Sequence, residues 1–195
     1  VPFTVYVVTD VMLGKLPLPW YELVQQSLVH ADLAGPALAL LSSSAPVHAA
    51  LPARIEGPAL LLLPVVMRTM KRLPSEERKR LCDKLWDKIG TELVSRKGVP
   101  RYLDQAGVRK LIERGAEVSS HSCRHELLPS LNDEDLVREL TESRRVLMAL
   151  GSTCPGLAYP NGDSDARVEA AAAAAGYEYA VLVTTAAGPP SRYRL

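Results

Sequence analysis

Residues 104–120 read DQAGVRKLIERGAEVSS, and this stretch decides the fold class. Its first eleven residues are predicted to form a helix, and Gly115 follows directly as a residue suited to end it. The next five residues, AEVSS, are predicted to form a short strand. A helix that passes at once into a strand is the connection found in α/β proteins. We therefore expect an α/β fold.

The same alternation extends to both sides of this stretch. Strands are predicted at 1–9, 156–159 and 177–184, helices at 20–30, 74–95, 132–150 and 163–175, and loop with a short strand at 37–41 within 34–58. Strands that alternate with helices of this length predict right-handed βαβ units and a mostly parallel sheet or barrel. We expect a single domain over 1–195, in which 17–100 is a largely helical insertion and 101–195 is the regular β/α part.

Composition narrows the class of protein. The chain has 195 residues, 47% of them hydrophobic, which is enough for a buried core. Its net charge of +1 excludes the basic footprint of a nucleic-acid binder. The three cysteines follow no disulfide or zinc-knuckle spacing and are expected to be reduced. The sequence predicts no signal peptide and no membrane span, so a cytoplasmic location is the default expectation.

Two histidines are the first candidates for chemistry. His121 follows the predicted strand at 116–120, and His125 comes four residues later. Neutral imidazole nitrogens bind Zn²⁺ well, and the carboxyl ends of strands are where catalytic residues gather in α/β folds. The alternative is that both are ordinary loop residues, because an isolated HxxxH spacing is weak evidence.

A second candidate is the turn GLAYPNGD at 156–163, where a strand end leads into a helix start. Such a turn can direct backbone N–H groups at an anion, as an oxyanion hole requires. Its alternative is a plain β-to-α loop with suitable turn residues.

Taken together, the two motifs resemble the polysaccharide deacetylase family, also called the NodB-homology domain or carbohydrate esterase family 4. The family's H-[ST]-x-x-H element corresponds to HSCRH at 121–125, and its Pro-aromatic-Gly turn to AYPNG at 158–162. VPFTVYVVT at the start is similar to the family's second strand, and GYEYAVLVTT at 176–185 to the strand after the third motif. The resemblance implies a distorted (β/α) barrel that removes N-acetyl or O-acetyl groups from an acetylated polysaccharide or oligosaccharide.

The resemblance also assigns roles to residues. It implies that His121 and His125 bind Zn²⁺ or a similar divalent metal, and that the backbone N–H of Asn161 stabilises the oxyanion. Ser122 is expected to hold the loop and orient a histidine, or else to make a local turn hydrogen bond.

Three further side chains are expected near a sugar or in the core. Tyr159 and Pro160 are candidates for substrate contacts in the turn. Trp20 is a weaker candidate for a sugar-stacking wall, and its alternative is a core position.

The family's first motif, Thr-Phe-Asp-Asp-Gly, supplies a general base and a third metal ligand, and this sequence contains no such element. Because the segment similar to the second strand begins at Val1, we expect the domain to be incomplete at its N-terminus. The family's late Leu-x-x-x-His motif is also absent. One alternative is therefore an inactive deacetylase-like domain that binds a glycan or a protein. Another is an unrelated amidohydrolase with Asp163 or Asp165 as a third ligand.

Overall fold

The computed structural model describes residues 3–54, 56–182 and 191–195. The chain forms two compact units. A helical unit comprises Leu18–Arg101, and a sheet unit combines Val1–Pro17 with Tyr102–Leu195. The organisation into one domain with a helical insertion stays a prediction.

The strands of the sheet unit pair in the order in which they follow one another along the chain. They are β1 (Thr4–Val7), β2 (Glu117–Ser120), β3 (Gly156–Ala158) and β4 (Tyr179–Val181). All three pairings are parallel. The α/β class and the parallel sheet are therefore confirmed, whereas closure into a barrel stays a prediction.

The helices account for most of the remaining described residues. In chain order they are α1 (Thr9–Met12), α2 (Trp20–Val29), α3 (Ala31–Leu41), α4 (Ala45–Ala50), α5 (Leu63–Arg72), α6 (Ser75–Leu85), α7 (Thr91–Val94), α8 (Gln105–Glu113), α9 (Asp133–Ala149) and α10 (Ala166–Ala174). Short 3₁₀ segments lie at Ala59–Leu62, Leu128–Ser130 and Pro160–Gly162. None of these described helices is both long and apolar enough to span a membrane.

The sheet unit has its own core, which sets the position of the loops after the strands. Val118 of β2, Leu157 of β3 and Ala180 of β4 are buried with the inward face of α9, where Leu136 and Leu140 lie. α8 and α9 begin where the sequence predicts, whereas α10 begins at Ala166 and not at 163. Asp104, Asn132 and Asp165 accept hydrogen bonds from backbone N–H groups of the first turns of these helices. Gly115 ends the turn after α8 with φ +81.

The first predicted strand is present as β1, but little of it is buried. Val1 and Pro2 lie outside the described residues, Thr4 is exposed, and only Val7 of β1 is buried. β1 is an edge strand of the described sheet, so it pairs with a neighbouring strand on one side only. Residues 183–184 of the last predicted strand also lie outside the described residues.

The loop and strand predicted within 34–58 are wrong for much of that range. Residues 31–41 form α3 and 45–50 form α4. Alanine and leucine favour helix, and Ala34, Ala37, Leu38 and Leu41 are buried in the core of the helical unit. Pro36 lies inside α3. Tertiary burial therefore outweighs the local effect of the proline.

The helix predicted at 74–95 is present but is interrupted by one wider turn. α6 passes through a π-helical segment at Trp86–Gly90 into α7. A Cβ at position 90 would lie 2.4 Å from ring atoms of Trp86. The glycine therefore leaves room for the indole in this turn.

Candidate functional site

The HSCRH loop leaves β2 and is bonded to the segment that follows β1. The amide of His121 donates to the carbonyl of Val7 at 2.9 Å. In the opposite direction, the amides of Thr9 and Asp10 donate to the carbonyls of Ser122 and Cys123, at 3.2 and 2.9 Å. The loop thus prolongs the β1–β2 pairing, which fixes its direction at the carboxyl end of β2.

The two histidines lie side by side at this strand end. Their ring centroids are 4.6 Å apart and the ring planes are at 88°. Nδ1 of His121 lies 2.8 Å from the carbonyl oxygen of Ala158 in β3. A carbonyl only accepts, so Nδ1 carries the hydrogen and Nε2 keeps its lone pair. This is the arrangement in which an outer hydrogen bond orients a metal-binding histidine.

Burial favours the neutral form of this ring. Desolvation lowers the pKa of His121 below its usual value, and the hydrogen bond to Ala158 opposes that shift with a smaller effect. The neutral imidazole, which is the form that binds a metal, is therefore favoured around pH 7.

The loop between the histidines has an unusual main-chain shape. Ser122 has φ +65 and His125 has φ +61, in the left-handed region that L-residues rarely adopt. The hydroxyl of Ser122 accepts the amide of His125 at 3.0 Å, and the hydroxyl of Ser120 accepts the amide of Ser122 at 3.0 Å. Ser122 therefore makes a local turn hydrogen bond, and this bond fixes the main chain of the second histidine.

A buried carboxylate completes the hydrogen bonding of the loop. Oε2 of Glu139 in α9 accepts the amides of Cys123 and Arg124, each at 3.0 Å. Burial raises the pKa of Glu139, and the hydrogen bonds from the loop amides oppose that rise. Every backbone N–H from Ser122 to His125 thus has a side-chain acceptor.

The second predicted element is a tight turn after β3. Asn161 has φ +59, a conformation that asparagine tolerates better than most residues. The amides of Gly162 and Asp163 bond back to Tyr159 and Pro160 at 2.9 and 3.3 Å. Nδ2 of Asn161 is buried and has no hydrogen-bond partner within the described residues. The backbone oxyanion donor at Asn161 stays a prediction.

The predicted sugar contacts lie in buried surroundings. Tyr159 is 1% exposed and its hydroxyl donates to the carbonyl of Tyr193 at 3.1 Å. Pro160 is also buried. Trp20 is buried in the helical unit, where the guanidinium of Arg78 lies 5.4 Å from its ring centroid. These positions match the core role held open for Trp20, and the sugar contacts of all three stay predictions.

The structure does not support Asp163 or Asp165 as a third metal ligand. Asp165 accepts the amide of Val168 at 2.8 Å and thereby caps α10. Among residues 3–54, 56–182 and 191–195, no group of three His, Cys, Asp or Glu side chains is placed to hold a metal ion. The amidohydrolase alternative based on these aspartates is therefore not supported.

Comparison with protein families identifies the part of the chain that contains the site. Residues 88–180 match the family described as "Polysaccharide deacetylase". They include both histidines, Glu139 and the turn after β3. Residues 88–180 are thus similar to the polysaccharide deacetylase family.

Solved polysaccharide deacetylases resemble the chain over part of their length. A Streptococcus pyogenes deacetylase, PplD, solved with acetate, is 21% identical with a TM-score of 0.41, over 44% of this chain and 38% of its own. A family 4 carbohydrate esterase from Streptomyces lividans, also with acetate, is 22% identical with a TM-score of 0.38, over 40% and 41%. A Bacillus cereus polysaccharide deacetylase is 16% identical with a TM-score of 0.43, over 60% and 42%.

The chain therefore spans about two fifths of the length of each of these structures. No curated protein matches it.

Glu139 is the residue of this segment that the sequence analysis missed. It lies three positions after Leu136 and one before Leu140, on the face that α9 buries. A carboxylate on an apolar helix face needs hydrogen-bond donors nearby, so this position was the available signal.

The donor chemistry fits part of a divalent-metal site. Nε2 of His121 has a free lone pair, and the hydrogen bond from Nδ1 to Ala158 orients the ring. The ring of His125 lies next to it. Two imidazoles fill two of the four positions that zinc usually occupies with ligands. The other positions call for water, substrate or donors outside the described residues.

Proposed function

We propose that this chain contributes to a metal-dependent hydrolase that removes N-acetyl or O-acetyl groups from a polysaccharide or a related sugar. The observation that carries the proposal is the histidine pair, with rings 4.6 Å apart and Nδ1 of His121 engaged by Ala158. The family of residues 88–180 supports deacetylation as the reaction class.

In this proposal His121 and His125 hold Zn²⁺ or a similar divalent ion. When bound, such an ion polarises a carbonyl and lowers the pKa of a water molecule. Ala158 keeps the His121 ring in the tautomer with a free Nε2. The buried surroundings keep this imidazole neutral and so available to a metal at neutral pH.

The turn after β3 would serve the acetyl group itself. As the carbonyl carbon of the acetyl group is attacked, negative charge develops on its oxygen. The backbone N–H of Asn161 is the proposed donor to that oxygen. Because this donor belongs to the main chain, the side chain at 161 can differ from the usual aromatic residue without removing it.

Zinc titration calorimetry on the full chain tests the metal part of the proposal. We expect the wild type to bind zinc and the His121→Ala/His125→Ala variant to lose at least about 100-fold in affinity, as removal of both ligands implies. His48→Ala is the matched control, because His48 is exposed on α4 of the helical unit. Equal binding by the wild type and the double variant would contradict the proposal.

Acetate release tests the reaction and separates it from the alternative. Chitin oligosaccharides offer N-acetyl groups and acetylated xylan offers O-acetyl groups. Release by the wild type but not by the double variant supports the hydrolase. Oligosaccharide binding without acetate release would instead support the alternative, a domain that binds a glycan without turnover.

A further inference from the structure

Glu139 connects a helix of the core to the loop that carries both histidines. Its Oε2 accepts the amides of Cys123 and Arg124, each at 3.0 Å, from the middle of the HSCRH loop. Glu139 as a whole is 4% exposed. α9 is anchored in the sheet unit by Leu136 and Leu140, which are essentially fully buried. The side chain therefore links the loop to a rigid part of the core.

We propose that Glu139 is a positioning residue for the histidine pair. By accepting the amides of Cys123 and Arg124, it fixes the distance between the rings of His121 and His125. The proposal rests on the proposed function for its metal, but the ring geometry that it explains is present without one. Glu139 touches no reacting group, so its effect passes through the main chain of residues 121–125.

The shape of the loop explains why a positioning residue is needed. Ser122 and His125 both adopt positive φ, which L-residues disfavour, so surrounding contacts must hold them. Ser122 makes the local contact, since its hydroxyl accepts the amide of His125. The amides of Cys123 and Arg124, which lie between these two residues, donate to the Glu139 carboxylate. Glu139 therefore holds the part of the loop that connects the two left-handed residues.

The identity of the acceptor matters more than its charge in this arrangement. The observed partners of the carboxylate are two backbone N–H groups of the loop. A glutamine at 139 keeps an acceptor oxygen at the same reach. An aspartate keeps the charge, but its carboxylate lies one methylene further from the loop. The two variants therefore separate positioning from electrostatics.

The experiment compares wild type, Glu139→Gln, Glu139→Asp and Glu139→Ala in the full chain. Glu142→Ala is the matched control, because Glu142 lies one turn further along α9 and pairs with Arg145 at 2.6 Å. The first measurement is made without metal. It uses NMR to record the nuclear Overhauser contact between the two imidazole rings and the tautomer of His121. The second is zinc affinity by calorimetry, and circular dichroism checks the fold.

We expect Glu139→Gln and Glu142→Ala to retain the contact between the rings and the wild-type zinc affinity. Glu139→Asp and Glu139→Ala should lose the contact while remaining folded, and zinc binding should weaken about 10- to 100-fold, as for other residues that orient metal ligands. If Glu139→Ala does not fold, the glutamine and aspartate variants decide.

Two results would overturn the proposal. One is a folded Glu139→Asp variant with an unchanged ring contact, and the other is a Glu139→Gln variant that behaves like Glu139→Ala. A wild type that binds no zinc contradicts the proposed metal role alone, because the ring contact in the metal-free chain still tests Glu139.

Discussion

Replacing Gly156 by alanine should destabilise the sheet unit, because the ring of Tyr179 covers this position. A Cβ at 156 would lie 2.5 Å from Cζ, 2.6 Å from the hydroxyl oxygen and 2.8 Å from Cε2 of that ring. Ordinary contacts begin at 3.4 Å, so the ring must retreat by about 1 Å. The ring is held by its hydroxyl, which donates to Glu117 of β2 across β3.

The structure sets the size of this effect. Overpacking costs about 1–3 kcal/mol, and a weakened hydrogen bond to a carboxylate costs about 1.5–3 kcal/mol at most. The lower backbone entropy of unfolded alanine offsets about 0.5–1 kcal/mol. We expect a net loss of about 2–3 kcal/mol in the free energy of unfolding. For a chain of this size that lowers Tm by roughly 5–10 °C.

Scanning calorimetry measures this shift, and two further variants make the test specific. In a Tyr179→Ala background the alanine at 156 should cost far less, because the ring that it meets is gone. Gly35→Ala is the control, since no atom lies within 4 Å of its Cβ position in α3. A Tm for Gly156→Ala within about 1 °C of wild type, or the same cost in both backgrounds, would refute the reasoning.

Three other predictions concern two buried cysteines and the turn after β3. Burial raises the pKa of Cys123 and Cys154 to about 12, so both thiols should react with iodoacetamide at pH 8.5 at least about 100-fold more slowly in the native chain than in guanidinium. The pKa values of both thiols are higher in the folded chain than in the unfolded chain. The two cysteines should therefore contribute less to the free energy of unfolding as pH rises from about 9 towards 12. Urea unfolding measured at several pH values would show this loss. Native labelling at the unfolded rate would contradict both expectations. Asn161→Gly keeps the main-chain N–H and suits a φ of +59, so acetate release should stay within about threefold of wild type; a loss above about 100-fold would assign the donor to the side chain instead.

The regular part of the fold could be predicted because its signals are local. Asp104 and Asn132 begin helices, and Gly115 ends one. The apolar runs that follow these helices are too short for another helix and so predict strands. The prediction for residues 34–58 was wrong because proline and serine suggest a loop, whereas the burial of Leu38 and Leu41 favours a helix. Such burial depends on partners distant in sequence, which no local pattern contains.

The candidate site was also predictable from the sequence only in part. The sequence places His121 and His125 after a strand, and the structure brings their rings together there. The left-handed conformations of Ser122 and His125 are not indicated by the sequence, because positive φ is uncommon for any residue other than glycine. Glu139 lies 16 positions from Cys123, and their contact follows from how α9 packs on the sheet. The sequence therefore indicates the histidines themselves, but not the contacts that hold their loop in place.

The separation of β1 from β2 along the chain has a consequence for folding. Thr4 and Glu117 are paired although they are 113 positions apart in the sequence. Closing a connection of that length costs about 2 kcal/mol more entropy than closing one of ten residues. An intermediate in which only residues 102–182 were ordered would lack the bonds that Val7, Thr9 and Asp10 make to the histidine loop. Since pairings between distant segments tend to form slowly, we expect the loop that carries the histidines to reach its final shape late in folding.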